Sequence, residues 1–199
     1  MQKFLIRFFD LFFSLTGLII FFPFFLIIAL LIVIDSKGGV LYRQSRVGEG
    51  NIDFILYKFR TMQTGADKHG QITSGKHSMS ITKAGKFLRK YKLDELPQLF
   101  NVIKGEMSLV GPRPEVRKYV DLYTPEQRKV LNAKPGITDF ASIAYANENE
   151  LLGKSDNPEK MYIEEIMPAK TKLNMQFIKH YTIRNYFIVI LKTIVRIFS

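Results

Sequence analysis

LDELPQLFNVIKGEMSLVGPRP, residues 93–114, joins an adjacent acidic pair to a short amphipathic helix and then to a stiff turn that carries an arginine. Leu96, Leu99, Phe100 and Ile103 recur at helical spacing, Pro97 suits a first-turn position where its missing N–H has no partner to lose, and Gly105 suits a left-handed cap. Asp94 and Glu95 are thereby placed near a helix N-terminus, where unpaired N–H groups and the positive dipole end favour anions. In Gly111-Pro112-Arg113-Pro114 the arginine sits between two residues of fixed φ. Carboxylates and a rigid guanidinium this close in sequence point to phosphate and metal chemistry. Each piece also has a plain structural reading, since an Asp before an apolar helix is commonly a cap and a Pro-Arg-Pro a stiff turn.

Upstream, Val40–Arg43 and Ile52–Thr61 read as strands around Gly48-Glu49-Gly50-Asn51, a hairpin. In the second strand Ile55, Tyr57 and Phe59 point one way and Lys58 and Arg60 share the other face. Lys58 and Arg60 are candidates for binding phosphate, with a solvated strand face as the alternative. Residues 63–80, rich in Gly, Ser, Lys and His, are expected to form a mobile loop near the site. Ile81–Tyr91 is expected to be helical, with Phe87, Leu88 and Tyr91 apolar and Lys83, Lys86, Arg89 and Lys90 basic. Lys134-Pro135-Gly136-Ile137-Thr138 reads as a turn. There is no internal repeat and no boundary that separates a second globular domain.

The N-terminus places the chain at a membrane. Leu11–Ile34 holds no charged residue over 24 positions, long enough to cross a bilayer core as a helix. It is too long for a signal-peptide core, and no Ala-x-Ala-like site follows. Seven phenylalanines between residues 9 and 25, on all faces, argue against a buried soluble helix. Pro23, near the middle, removes the hydrogen bond to the Ile19 carbonyl and is expected to kink the helix. Lys3 and Arg7 precede the segment and Lys37, Arg43 and Arg46 follow it, so the positive-inside rule gives a span no clear orientation. A re-entrant helix that enters, breaks at Pro23 and returns suits cations on both flanks; a proline-kinked single span is the alternative. The C-terminal run Tyr186–Leu191, with Lys192 and Arg196, is expected to form an amphipathic helix on the membrane or against the core.

With a net charge of +11 the chain should seek anionic partners: nucleic acid, the anionic leaflet or phosphorylated small molecules. It has no cysteine and three histidines, which excludes disulfides and disfavours a histidine-based zinc site.

The stretch 93–114 resembles the signature of the small monotopic phosphoglycosyl transferases, the bacterial sugar transferase family. There the Asp-Glu dyad, Leu-Pro-Gln-Leu-x-Asn and Gly-Pro-Arg-Pro occur in this order. Gln44-x-Arg46-Val47-Gly48, Tyr57-Lys58-Phe59-Arg60-Thr61-Met62 and Pro135-Gly136-Ile137-Thr138 match as well, so the resemblance covers roughly residues 3–145. It implies an α+β, mostly helical monotopic membrane protein. Residues 1–36 would form a re-entrant helix-break-helix, and residues 37–199 a cytoplasmic catalytic domain with a small β-hairpin and interfacial helices. It further implies transfer of a phosphosugar from a UDP-sugar to a polyprenol phosphate such as undecaprenyl phosphate, releasing UMP. The reaction would be a first membrane step of bacterial surface glycan assembly, at the cytoplasmic face of the inner membrane. By position Asp94 matches the nucleophile that forms a covalent aspartyl-phosphosugar, Glu95 the Mg²⁺ ligand, Arg89 a phosphate-binding arginine and Arg113 the arginine of Pro-Arg-Pro.

The residues suit those roles. A carboxylate can form an acyl phosphate and divide one difficult transfer into two. Attack on a diphosphate needs its charge neutralised by a metal and by cations such as Lys58, Arg60, Arg89 and Arg113. Asp139 departs from the family pattern, where Gly is usual, and is expected either to contact the sugar or to cap a turn. Two rival classes are a membrane-anchored nucleic-acid-binding protein and a non-catalytic scaffold that holds anionic lipid. No nucleic-acid module is visible, and the joint presence of Asp94, Glu95 and Arg113 speaks against a scaffold.

Overall fold

The computed structural model describes residues 1–65 and 80–198, and the loop expected at 63–80 lies largely outside the described residues. The protein is mostly helical, with one long apolar N-terminal helix and a small antiparallel hairpin. Helix α1 spans Gln2–Asp35. Strands β1, Leu41–Val47, and β2, Asp53–Phe59, pair antiparallel from Leu41↔Phe59 to Val47↔Asp53. Helices α2, Lys83–Lys90, and α3, Gln98–Lys104, flank the acidic pair. Two three-residue strands, β3 at Ser108–Val110 and β4 at Gly136–Thr138, pair in parallel. Helices α4 at Phe140–Ala144, α5 at Met167–Lys179 and α6 at Ile183–Phe198 complete the frame.

Helix α1 is about 51 Å long at 1.5 Å per residue, well beyond a ~30 Å hydrocarbon core. It buries one stripe, Ile6, Asp10, Ser14, Ile28 and Ile32, and exposes Phe4, Phe8, Phe12, Ile19, Phe22, Phe24 and Leu30. Only 11% of its most apolar 18-residue stretch is buried, as befits a surface that faces lipid. Both of its ends rest on the same domain. Ile6 and Phe9 pack with Val110, Phe177, Tyr186 and Val189, while Phe25, Ile28 and Ile32 pack with Phe59 and Leu88. Helical structure runs unbroken through Pro23, which lies between these two docked parts. What the proline removes is one hydrogen bond, not the helical course.

Polar contacts fix the two docked parts. Arg7 donates to the Val102 and Ile103 carbonyls at 2.7 and 3.1 Å at the C-terminus of α3, where Val102 O also accepts from Gly105 N. Asp10 accepts from Ser108 Oγ, Leu109 N and Tyr186 Oη at 2.9–3.0 Å, tying α1 to β3 and α6. Asp35 accepts from Ala84 N at 2.8 Å in the first turn of α2. The membrane helix thus braces the elements on both sides of the acidic pair.

Other expectations find their structural form. Pro97 is the N-cap of α3, and Gly105 closes it in the left-handed region at φ 87°. The helix expected over 81–91 is shorter, because Thr82 caps it by accepting from Gly85 N. In β2 the core-facing residues are Leu56, against Val102 and Met107, and Phe59 against α1, while Ile55 is exposed. Helix α6 packs against the core by one face. Tyr186 and Val189 are fully buried, while Leu191, Ile194 and Val195 remain exposed.

Candidate active site

Between α2 and α3 the chain turns through Lys92, a non-glycine residue held at φ 56°, and then through a 3₁₀ turn over Leu93–Glu95. A left-handed lysine costs about 1 kcal/mol or more and persists only where its surroundings fix it. Here its carbonyl accepts from Glu95 N at 3.3 Å. The turn buries both carboxylates, Asp94 to 7% and Glu95 to 9% exposure.

Their environments differ. Lys58 Nζ, reaching up from β2, lies 3.0 Å from Glu95 Oε1. The Arg113 guanidinium grips the same carboxylate in a fork, Nη1 to Oε2 at 3.2 Å and Nη2 to Oε1. Burial works against the Glu95 charge, but Arg113 and Lys58 outweigh it and hold this carboxyl well below the usual range. Asp94 goes the other way: burial, then the adjacent Glu95 charge, raise it. Its Oδ1 is buried with no hydrogen-bond partner. The structure therefore separates two neighbouring carboxylates into a fixed anion and a more basic, unpartnered oxygen.

Secondary contacts set the cations. Arg89, on the last turn of α2, donates to Thr61 Oγ1 at 2.9 Å, and burial followed by the pull of Asp94 and Glu95 governs its charge. Helix α2 comes this close because Gly85 has no side chain; a Cβ there would stand 2.1 Å from the Thr61 carbonyl oxygen. Arg113 is aimed by its backbone. Its N–H donates to Asp139 Oδ2 at 2.9 Å, and Asp139, fully buried, also caps α4 by accepting from Ser142 N. Of the two roles expected for Asp139, the structure gives it the cap. Gly111 and Gly136 meet backbone to backbone, with Gly111 N donating to Thr138 O and Gly136 N to Pro112 O, both at 3.0 Å. A Cβ on Gly136 would stand 2.0 Å from Gly111 N, so the Pro-Arg-Pro turn needs glycine at this crossing.

Lys58, Arg89, Asp94, Glu95 and Arg113 are thus gathered at one place. Arg60 is not placed with them. Its guanidinium donates to Gly39 O, Ser36 Oγ, Ser36 O, Lys37 O and Gly38 O at 2.6–3.3 Å, closing the turn that follows α1. Lys58 and Arg60 share a strand face in the sequence, yet Arg60 falls just beyond β2, where the strand has ended. Arg46 carries weight that its sequence neighbourhood did not assign: it donates to Pro114 O at 3.2 Å and to Gln44 Oε1 at 2.8 Å. Its only signal was membership in the run Gln44–Gly48.

Two carboxylate oxygens could hold a hard divalent cation. Asp94 Oδ1 is open, and Glu95 Oε2 carries a single hydrogen bond. Magnesium asks for only one or two carboxylates when phosphates and water complete the shell. Among the described residues no cluster of three or more His, Cys, Asp and Glu exists that would form an all-protein cage.

The chain is 41% identical over 141 residues to UDP-N-acetylgalactosamine-undecaprenyl-phosphate N-acetylgalactosaminephosphotransferase of Aeromonas hydrophila, covering 68% of this chain and 33% of that protein. It is 41% identical over 132 residues to a putative undecaprenyl-phosphate N-acetylgalactosaminyl 1-phosphate transferase of Bacillus subtilis, covering 66% of this chain and 70% of that one. With UDP-glucose:undecaprenyl-phosphate glucose-1-phosphate transferase of Klebsiella pneumoniae it shares 39% over 155 residues, covering 76% of this chain and 32% of that protein. The matches thus span about a third of the Aeromonas and Klebsiella relatives. The family model described as bacterial sugar transferase matches residues 1–199, beyond the stretch whose motifs are legible by eye, and the chain belongs to that family.

Proposed function

We propose that this protein transfers a phosphosugar from a UDP-sugar to a polyprenol phosphate, in two steps through Asp94. The observation that carries the reading is the split of the adjacent pair, with Glu95 held as an anion and Asp94 left more basic and unpartnered among cations. In the first step Asp94 Oδ1 attacks the phosphorus that bears the sugar. An oxygen–phosphorus bond forms, the bond to the bridging oxygen breaks, and UMP leaves with that electron pair. In the second step a phosphate oxygen of the polyprenol phosphate attacks the same phosphorus. The bond to Asp94 breaks and its carboxylate returns. Arg89, Arg113 and Lys58 face the diphosphate and offset the charge that gathers on its oxygens. Glu95 would hold Mg²⁺, which when bound neutralises the phosphate oxygens.

One substrate of such a reaction is soluble and the other lies in the bilayer, which suits a site braced by a membrane helix. That both ends of α1 rest on one domain supports a monotopic helix with both flanks on the cytoplasmic side of the bacterial inner membrane. A helix that crossed the bilayer would carry one end away from that domain. Lys83, Lys86 and Lys90, with the exposed ring of Phe87, lie on α2 beside the end of α1 and suit anionic lipid headgroups. The product, a polyprenol diphosphate sugar, is the starting lipid for surface glycan assembly.

The test is a single-turnover experiment. Purified protein with Mg²⁺ and a panel of UDP-sugars, without lipid, should release UMP in near-stoichiometric amount with one of them. Mass spectrometry should then find the phosphosugar on the peptide that contains Leu93-Asp94-Glu95. Release of UMP only when polyprenol phosphate is present, with no adduct, would mean direct transfer in a ternary complex and remove Asp94 as nucleophile.

A further inference from the structure

The Arg113 guanidinium reaches Glu95 only because its backbone is held in place, and that backbone is short of donors. Pro112 and Pro114 have no N–H, so the turn presents carbonyls that must find partners elsewhere. On the N-terminal side Pro112 O accepts from Gly136 N, and Arg113 N donates to Asp139. On the C-terminal side two successive carbonyls meet the end of β1. Glu115 O accepts from Val47 N at 2.8 Å, and Pro114 O accepts from Arg46 Nη1 at 3.2 Å.

Arg46 is itself fixed. Gln44 lies two residues back on the same face of β1, and its Oε1 accepts from Arg46 Nη2 at 2.8 Å and from Nε at 3.2 Å. Glu115 Oε2 stands 4.0 Å from Arg46 Nη1, and Tyr162 Oη donates to the other oxygen of that carboxylate at 2.6 Å. All three guanidinium nitrogens thus have protein acceptors, which makes Arg46 a fastener rather than a phosphate ligand. A planar fork serves acceptors on two edges at once, and the single nitrogen of a lysine cannot. Burial works against the Arg46 charge, Glu115 supports it, and Arg113 works against it again. Packing alone gives no reason to set a third cation near Arg113 and Lys58; aiming Arg113 does. Strand β2 of the same hairpin carries Lys58, which reaches Glu95 Oε1. One hairpin therefore sets both cations that share Glu95, Lys58 from its own strand and Arg113 through Arg46.

We propose that Arg46 is a positioning residue: by holding the Pro114 carbonyl from β1 it aims Arg113 at the diphosphate of the UDP-sugar. This rests on the proposed transfer from a UDP-sugar, and not on that transfer passing through Asp94. Misplacing a group by about 1 Å can cost about 100-fold in rate, so a loosened turn is felt at the phosphate. The effect of Arg46 passes through Arg113.

A double-mutant cycle on Arg46→Met and Arg113→Met tests this, read as UMP release with Mg²⁺, polyprenol phosphate and saturating UDP-sugar. Rates are taken per folded protein, well below each thermal midpoint. Arg113→Met should be slowed about 100-fold or more, and Arg46→Met about 10- to 100-fold. The double variant should match Arg113→Met within about 3-fold, because nothing is left for Arg46 to aim. If Arg46→Met does not fold, Gln44→Leu frees the Nε edge of Arg46 and takes its place in the cycle, with a fall of about 3- to 10-fold that vanishes in the Arg113→Met background. A double variant slowed by the product of the two single effects would overturn the role, since Arg46 would then act on the substrate or on the fold at large. An Arg46→Met as fast as wild type would overturn it as well. No UMP release from the wild type with any UDP-sugar would overturn the proposed function, and this inference with it.

Discussion

Replacing Arg60 by methionine separates two roles that a buried arginine near a phosphate site can have. The side chain is 8% exposed, and its guanidinium makes five hydrogen bonds to Ser36, Lys37, Gly38 and Gly39. At about 1.5–3 kcal/mol for each bond to a charged group, the sum would be about 7–15 kcal/mol. That sum overstates the loss. Lys37, Gly38 and Gly39 are exposed, so water re-pairs their carbonyls, and methionine keeps most of the buried stem. A net cost of about 2–4 kcal/mol is expected. For a chain of this size each kcal/mol shifts the midpoint by about 2–4 °C, which gives a fall of about 4–16 °C. The measurement is circular dichroism of the protein in lipid nanodiscs, at one scan rate, with the KM for UDP-sugar determined well below the midpoint. The KM should stay within about 3-fold of wild type, because Arg60 closes a turn rather than holding a phosphate. A midpoint unchanged within 2 °C, roughly half the smallest shift expected, together with a KM raised tenfold or more, would refute this reasoning and return Arg60 to the substrate.

Three further outcomes follow from the same geometry. Glu95→Gln should lose most activity and also some stability, because Lys58 and Arg113 are left as half-buried cations without their anion. The wild type should be silenced by EDTA and restored by Mg²⁺, and full turnover in chelator would exclude the metal role. Asp10→Leu should stay in the membrane fraction, since the lipid-facing surface is untouched. It strips the acceptor from Ser108, Leu109 and Tyr186, so limited proteolysis should cut the soluble part much faster, and equal resistance would contradict the brace. The chain has no cysteine, so Lys3→Cys and Lys129→Cys each carry one reactive thiol. Both should react with an impermeant maleimide from the same side of the membrane, and labelling of Lys3→Cys from the opposite side would establish a span.

How legible each part was depended on the distance over which it is determined. Helix α3 could be read with its caps because Pro97 and Gly105 act within one turn. The hairpin was legible because its turn lies within a few residues of both strands. Asp94, Glu95 and Arg113 stood out as a pattern, and the structure brings them together. The position of Arg60 was not legible. Alternation along β2 groups it with Lys58, but the strand ends at Phe59, and the next residue obeys the turn after α1 instead. Asp10 gave no signal either, because its partners lie 98 to 176 residues away. In sequence it is a lone charge beside an apolar run. Asp139 looked like a departure in specificity, whereas its two oxygens are spent on Ser142 and the Arg113 backbone. The parallel pairing of β3 with β4 needed the Gly111–Gly136 crossing, which no local rule predicts.

The hydrogen bond from Tyr186 to Asp10 spans 176 residues, and that separation is also an interval of time. At about 5–20 residues per second, Asp10 leaves the ribosome some ~9–35 s before its partner is made. Throughout that interval a nascent carboxylate adjoins an apolar segment that has already met the bilayer, with no protein donor yet available on α6. Until Ser108 and Leu109 follow it out, water at the interface is its cheapest partner, and that would hold the start of the segment shallow. The same carboxylate that later fastens the finished fold would thus act earlier as a depth gauge, restraining the nascent N-terminus until β3 and then the last helix arrive to lock it.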